Sequence, residues 1–434
     1  MRAALGALTV RGRCFLAAGV AAALCSLVLH ERDLMRVAVF IIVLPLLSAA
    51  VVGRTRYRLS CNRRLDPPRV PAGQLARVVL RLENISRLPT GLMLLEDSLP
   101  YTLGGRPRFV LDRIAPQRVR TVSYPVRADV RGRYVIGPLS VRLTDPFGLV
   151  ELTRSFSSVD HLTVTPVVTP LPHVRLGGEW LGGGDSRARS VSVHGEDDAA
   201  TREYRFGDDL RKVHWRSTAR VGELMVRREE QPWQSRAAIF LDTRAAAHRG
   251  DGPGSSFEWS VSAAASVATQ LGRDGFSLRL LTDAGIDVDA RIDQQSADSD
   301  RDRGAGILLD HLAEVTSSRN ASLATAAEHL RRGPDGLTVA VLGRLDAADA
   351  EVLASARTGS STAIAVLIDT ASWLGLSERA RAEAHQAYDT TVHLLIAGGW
   401  RVLEVRHGES LAGIWQHAGR HPFATAAAAR IGAR

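Results

Sequence analysis

Two apolar runs, Cys14 to Leu29 and Leu34 to Val52, constrain this chain more than any other feature. Neither contains an acidic residue, and Arg36, near the start of the second, is the one charge they carry. Each has about the length that a helix needs to cross a hydrocarbon core, the first slightly short. His30, Glu31, Arg32 and Asp33 make a tight polar tip between them, so the pair reads as a transmembrane helical hairpin that enters and leaves a lipid bilayer on one side. A cleaved signal peptide is the rival reading. It fails because a second long apolar run follows at once and no small-residue cleavage site separates the two.

The hairpin also explains the charge. The chain carries +9, which invites a nucleic-acid reading. Residues 1–64, however, hold ten arginines against Glu31 and Asp33, a balance of +8, which leaves the other 370 residues nearly neutral. That distribution argues against nucleic acid as a partner. Arg2, Arg11 and Arg13 precede the hairpin, and Arg54, Arg56, Arg58, Arg63 and Arg64 follow it. The positive-inside rule then puts both ends, and the large soluble part, on the cytoplasmic side of the cell inner membrane. Cys14 and Cys25 lie in the first apolar run and Cys61 stands alone, which gives neither a disulfide framework nor a metal-binding pair.

Four stretches follow from the pattern: a hairpin over 1–56, with helices about 14–29 and 34–52; a β-rich domain over 57–175; a glycine-rich loop and a dense charged block over 176–235; and an α/β domain over 236–434. In the second, short alternating runs such as LARVVLRLEN and GRYVIGPLSVRLTDPFGLVEL are punctuated by Pro, Gly and Asn, the spacing of an immunoglobulin-like β-sandwich. In the fourth, Ala237 to Asp242, Phe276 to Thr282, Leu337 to Leu342, Thr362 to Ile368 and Val392 to Ala397 read as buried strands separated by helices. Ser255-x-x-Glu258 is a capping box at the head of the first helix. The alternation predicts an open, mostly parallel sheet with helices on both faces. Residues 284–304, rich in Asp, Gln and Ser, read as an exposed excursion.

The densest stretch is TREYRFGDDLRKVHWRSTARVGELMVRREEQP, Thr201 to Pro232. An alternating strand runs into Gly207-Asp208-Asp209, where either Asp can cap the helix that follows, and Gly222 releases that helix into a second strand. Asp209, His214 and Ser217 are the residue types of a hydrolase triad, yet no nucleophile elbow or oxyanion turn accompanies them. Two readings remain. In the first the block fastens two domains, with Trp215 and Tyr204 closing the seam. In the second, Arg202, Tyr204, Arg205, Gly207, Asp208, Asp209, Arg211, His214, Trp215 and Arg216 surround an anionic ligand or an acidic partner loop. The second reading would make the chain an anionic-ligand-binding protein or an enzyme that uses the 202–230 block; neither reading requires a cofactor.

The parts, in this order, resemble the bacterial domain of unknown function 58 family. The features that carry the resemblance are the hairpin, RGRYVIGPL (131–139), DPFGL (145–149), REYRFGDDLRKVHWRSTARVGELMVRREE (202–230) and a C-terminal domain similar to von Willebrand factor type A. The resemblance implies a membrane-anchored protein, often encoded beside a MoxR-type AAA+ ATPase and a transglutaminase-like membrane protein, with no established enzymatic reaction. Together with the hairpin, the architecture and the lack of a catalytic constellation, it leads to the expectation of a non-enzymatic adaptor or scaffold that recruits such an ATPase. Type A domains that bind a divalent cation end their first strand in Asp-x-Ser-x-Ser. Here the matching residues are Asp242-Thr243-Arg244-Ala245-Ala246, so Arg244 and Ala246 replace both serines and no metal is expected. Asp283 and Asp369 are the remaining carboxylates that such a site could draw on, and Asp242 is expected to cap its loop or pair with Arg244.

Overall fold

The computed structural model describes residues 8–54, 59–87, 89–145, 147–174, 176, 201–204, 213, 215–227, 236–285, 287–290, 298–332, 336–357 and 361–419. The chain divides into two compact units, Met1–Pro166 and Val167–Arg434.

The first unit opens with helices α1 (Val10–Leu29) and α2 (Arg32–Arg54), both long and apolar enough to cross a membrane. Thr9 starts α1 by accepting a hydrogen bond from the Gly12 N–H at 3.2 Å, the usual role of a hydroxyl at that position. The tip turns through His30 in a left-handed conformation, and the Ser26 hydroxyl donates to the Glu31 carbonyl at 2.7 Å. Gly19 lets the two helices close up, since a Cβ there would stand 2.6 Å from Ile42 Cγ1.

Ten strands follow: β1 (Leu59–Asp66), β2 (Arg69–Pro71), β3 (Leu75–Asn84), β4 (Met93–Asp97), β5 (Arg108–Leu111), β6 (Val119–Arg127), β7 (Gly132–Ile136), β8 (Leu139–Thr144), β9 (Glu151–Ser155) and β10 (Asp160–Thr165). They form sheets in the orders β1-β3-β6, β2-β10-β7 and β5-β4-β8-β9 around one apolar core. The period-two pattern does the sorting. On β3, Ala76, Val78, Leu80 and Leu82 point into the core and the residues between them mostly face out, as alternation requires.

The two motifs of this unit have structural uses. In DPFGL, the Asp145 carboxylate accepts from the N–H groups of Phe147 and Val150 at 3.2 and 2.7 Å, while Gly148 takes φ +69°. This turn meets the base of the hairpin: Thr9 donates its N–H to the Leu149 carbonyl at 2.9 Å and its hydroxyl to that of Gly148 at 2.7 Å. Leu8, Ala49, Leu149 and Val150 are buried together there, and a side chain at Gly12 would collide with the Leu149 carbonyl. In RGRYVIGPL, Gly137 (φ +107°) leaves room for the buried guanidinium of Arg63. That guanidinium bonds Asp97 at 2.7 and 3.2 Å and Asp160 at 3.2 Å, and also reaches the carbonyls of Ile136 and Ser158. Tyr124 completes the cluster with a 2.6 Å bond to Asp97.

The second unit begins with an extended segment whose Val168, Leu171, Val174 and Leu176 join the core of the α/β domain. A small unit follows: β11 (Thr201–Glu203) pairs antiparallel with β12 (Met225–Arg227), and helix α3 (Trp215–Val221) lies between them in sequence. The main sheet then takes the order β15-β14-β13-β16-β17-β18. Its strands are β13 (Arg236–Leu241), β14 (Ser277–Thr282), β15 (Asp287–Ala290), β16 (Leu337–Leu342), β17 (Thr362–Ile368) and β18 (Arg401–Val405). All neighbours are parallel except the edge strand β15. Helices α4 (Ser256–Arg273), α5 (Asp298–Glu314) and α9 (Leu411–Trp415) cover the face that carries Ile239 and Leu241. Helices α6 (Ala324–Arg332), α7 (Ala347–Ala356) and α8 (Glu378–Ala397) cover the face that carries Ala238 and Phe240.

Two expectations change. Val392 to Ala397 is the last part of α8, not a strand, and the sheet's final strand is Arg401–Val405. A short apolar run does not distinguish the two states, and here Ser377 caps a 20-residue helix that runs through it, burying Val392 and Leu395 three positions apart. The stretch 284–304 is not simply an excursion, because it contains edge strand β15 and the first turns of α5. The Ser255 half of the capping box is present as read: its hydroxyl accepts from the Glu258 N–H at 3.2 Å, while the Ser255 N–H donates to the Gly252 carbonyl at 3.1 Å.

Candidate functional site

Strands of a parallel sheet end together, and the loops that leave their carboxyl ends converge. Here β13 is central, with β14 on one side and β16 on the other, so the loop after β13 sits where the order of strands reverses. Its first residues are Asp242, Thr243 and Arg244, all buried. Asp242 holds the Arg244 guanidinium at two points, Nε to Oδ1 and Nη2 to Oδ2, both 2.9 Å. Arg244 Nη1 bonds Asp349, in the first turn of α7, and Nη2 also reaches the Arg344 carbonyl at 3.4 Å. Beside this cluster, Asp283 accepts from the Thr243 hydroxyl at 2.7 Å, from the Ser318 hydroxyl and from the Asn320 amide.

Burial alone would weaken the Arg244 cation. The hydrogen bonds and charges of Asp242 and Asp349 outweigh it, and the net shift is upward. The guanidinium is therefore a permanent positive charge fixed among carboxylates. His248 follows on the same loop, donating from Nε2 to the Asp242 carbonyl at 2.8 Å with Nδ1 toward the Ser256 hydroxyl at 3.3 Å. Burial, joined by the Arg244 charge, holds it below the ordinary histidine value, so it is neutral.

These residues do not fit a divalent cation. A hard cation takes about six oxygen ligands, but Arg244 already occupies the Asp242 and Asp349 carboxylates, and Asp283 is taken up by Thr243, Ser318 and Asn320. Ala246 offers only an exposed methyl, and among the described residues no group of three or more His, Cys, Asp or Glu is placed to hold a metal. Asp369 stands apart as the cap of the short turn after β17, accepting from the Ala371 N–H at 3.2 Å. The pairing of Asp242 with Arg244 is as the sequence suggested. Asp349 and His248 were not foreseen. Asp349 had a faint signal, Asp346-x-x-Asp349 at the head of a helix, where Asp346 caps by accepting the Asp349 N–H at 2.7 Å; His248 had none.

The charged block resolves in part. Arg202 lies on β11 in register with Val226, and the Tyr204 N–H donates to the Leu224 carbonyl at 2.8 Å. Val213 forms a bridge with Val226, and the described helix runs Trp215–Val221. Gly222 ends it with φ +84°. Trp215 is 70% exposed, and Arg216 follows it on the same helix. Arg205, Gly207, Asp208, Asp209, Arg211 and His214 lie outside the described residues.

A model of the family described as protein of unknown function DUF58 matches residues 200–371, a span that takes in the block, the Asp242–Arg244 loop and strands β13 to β17. The uncharacterized protein YeaD of Bacillus subtilis (strain 168) is 26% identical over 223 residues, covering 49% of this chain and 53% of that protein. The chain thus spans about half the length of this curated relative. Among solved structures, the CARDB domain of the PF1109 protein from Pyrococcus furiosus is 12% identical, covers 25% of this chain and 93% of its own, and has a TM-score of 0.19. An ApaA protein from Bordetella pertussis is 11% identical, covering 25% and 94%, with a TM-score of 0.21.

Proposed function

We propose that this chain is a membrane-anchored, non-enzymatic adaptor. Its apolar hairpin sits in the inner membrane, and its soluble part faces the cytoplasm and works with a MoxR-type AAA+ ATPase. The observation that carries the reading is the Arg244 ion-pair cluster. Where a cation-dependent domain of this architecture would leave an open coordination position, a guanidinium closes it, which suits a fixed recognition surface better than catalysis or metal exchange. What supports a type A-like assignment of the sheet is its strand order, its antiparallel edge strand and the placement of Asp242 at the end of the first strand. The short strands around one core in the first unit support an immunoglobulin-like reading there. The arginines on both sides of the hairpin support the orientation, and the ATPase partner follows from the family resemblance.

The test is co-purification from cross-linked, detergent-solubilised membranes. Recovery of an AAA+ ATPase with the wild-type chain is the expected result, and its absence overturns the partnership. Protease added outside intact cells should leave the soluble domains uncut; cleavage there would reverse the orientation.

A further inference from the structure

Beside the Arg244 cluster, the same edge of the sheet carries a cavity of about 450 Å³ between the loop after β17 and helix α8, within the size range of small-ligand pockets. Its lining is mixed, with Leu345, Leu374, Leu376 and, on α8, Ala384 and Ala387 as the apolar part that concerns a ligand stem. The polar groups among its lining are used internally, since Tyr388 donates to the Leu367 carbonyl at 3.0 Å and Thr391 to the Ala387 carbonyl at 3.2 Å. Burial, followed by the charges of Glu404 and Asp369, holds the Tyr388 hydroxyl well above its ordinary range, so it stays neutral.

Two arginines also line the cavity. Arg249 is pinned by bonds from Nη1 to the carbonyls of Ala246 and His248 at 2.8 and 2.6 Å. This leaves its Nε and Nη2 edge with no partner among the described residues. Arg344 has its backbone fixed by a 2.8 Å bond to the Ala247 carbonyl, and its exposed side chain has no partner among the described residues. The nearby carboxylates are already engaged: Glu383 with Arg379 at 3.2 Å and Asp369 with the Ala371 N–H.

We propose that this cavity binds a carboxylate carried on an aliphatic stem, with the stem among the leucines and alanines and the carboxylate on Arg249 and Arg344. A preset Nε/Nη2 edge matches a planar carboxylate at two points. Asp369 and Glu383 on the lining disfavour a dianion such as phosphate. The inference does not depend on the ATPase partnership, because it concerns ligand chemistry at one pocket.

The test is titration calorimetry on the full-length protein in detergent, with hexanoate and acetyl-Leu-Glu-amide as probes and hexanamide, acetyl-Leu-Gln-amide and inorganic phosphate as controls. Saturable binding of at least one acid is expected, tighter than its neutral counterpart by about tenfold or more. Arg344→Glu should weaken it by a similar factor, and Ala387→Trp, which fills the cavity, should abolish it with the melting temperature unchanged. Binding of the peptide alone would mark a protein side chain as the natural source, and binding of hexanoate alone a free acid; either supports the proposal. Acids that bind no better than their amides, or an Arg344→Glu protein that binds like wild type, would overturn it.

Discussion

Arg244 and Asp242 are two residues apart and meet in a two-point ion pair at 2.9 Å, both buried, at the end of the central strand. Removing one partner of such a pair leaves the other charged and unsatisfied, which costs about 3–5 kcal/mol. Arg244→Met should lose about that much in urea unfolding of the full chain, because Asp242 and Asp349 are both abandoned. Arg244→Lys should lose less, since it keeps the charge and gives up the fork. Arg244→Ser returns an oxygen donor, so millimolar Mg²⁺ should restore part of the loss in that variant and none in wild type. Equal stability of Arg244→Met and wild type would mean that the pair is not formed.

Gly137 and Arg63 make a second dependence. An alanine at Gly137 would take φ +107° and put a Cβ 2.7 Å from Arg63 Nη1 and 2.9 Å from the Ser158 carbonyl oxygen. Gly73 also has positive φ, +82°, but faces open space. Gly137→Ala should cost about 2 kcal/mol or more, and Gly73→Ala about 1 kcal/mol from backbone strain alone. Thermal melts of the two variants should therefore differ, and equal melts would count against the close approach.

His248 gives a pH signature with a definite sign. Its folded-state value lies below the ordinary 6.5, first through burial, so below about pH 6.5 the unfolded chain takes up a proton that the folded chain refuses. Stability then falls as the pH drops through that window and is unaffected by this group above it. In His248→Gln, which can still donate to the Asp242 carbonyl, the fall in stability between about pH 6.5 and 5 should be shallower than in wild type. Parallel stability curves would place the titration elsewhere.

The sequence carried the architecture well where periodicity was strong. The hairpin, the alternation on Leu75–Asn84, the helix cap at Ser255 and strands β13, β14, β16 and β17 of the main sheet are where the pattern puts them. It misled where a run was short. Val392 to Ala397 has the composition of a strand, and only its continuity with the helix capped at Ser377 decides the matter. The site was legible at Asp242 and Arg244, which are neighbours on one loop. Asp349 joins them from 105 positions further along the chain, and such convergence follows from strand order rather than from local pattern.

Trp215 is 70% exposed, with Val221 at 57% on the same helix. An exposed tryptophan contributes little to folding, so Trp215→Ala should change stability by no more than about 0.5 kcal/mol. If the block is a contact surface, the same variant should recover less partner in the cross-linking experiment, since tryptophan is enriched among the residues that dominate interfaces. A variant that melts several degrees lower would return Trp215 to a structural role.

Cys61 tests which of two opposing influences governs the buried polar cluster of the first unit. Arg63 is close in sequence, and a neighbouring cation ordinarily makes a thiol more acidic and more reactive. Burial acts the other way and dominates, with Asp97 and Asp160 adding to it, and the thiol rises from an ordinary 9.0 to about 11. Two units correspond to about a hundredfold less thiolate near neutral pH. Iodoacetamide should therefore label Cys61 in the folded protein at pH 8 about a hundredfold more slowly than in urea, as read by peptide mass spectrometry, which separates it from Cys14 and Cys25. Shielding alone would also slow the reaction, and the pH dependence tells the two apart. A shielded but ordinary thiol levels off by about pH 10, whereas this one should keep gaining until about pH 11 or beyond.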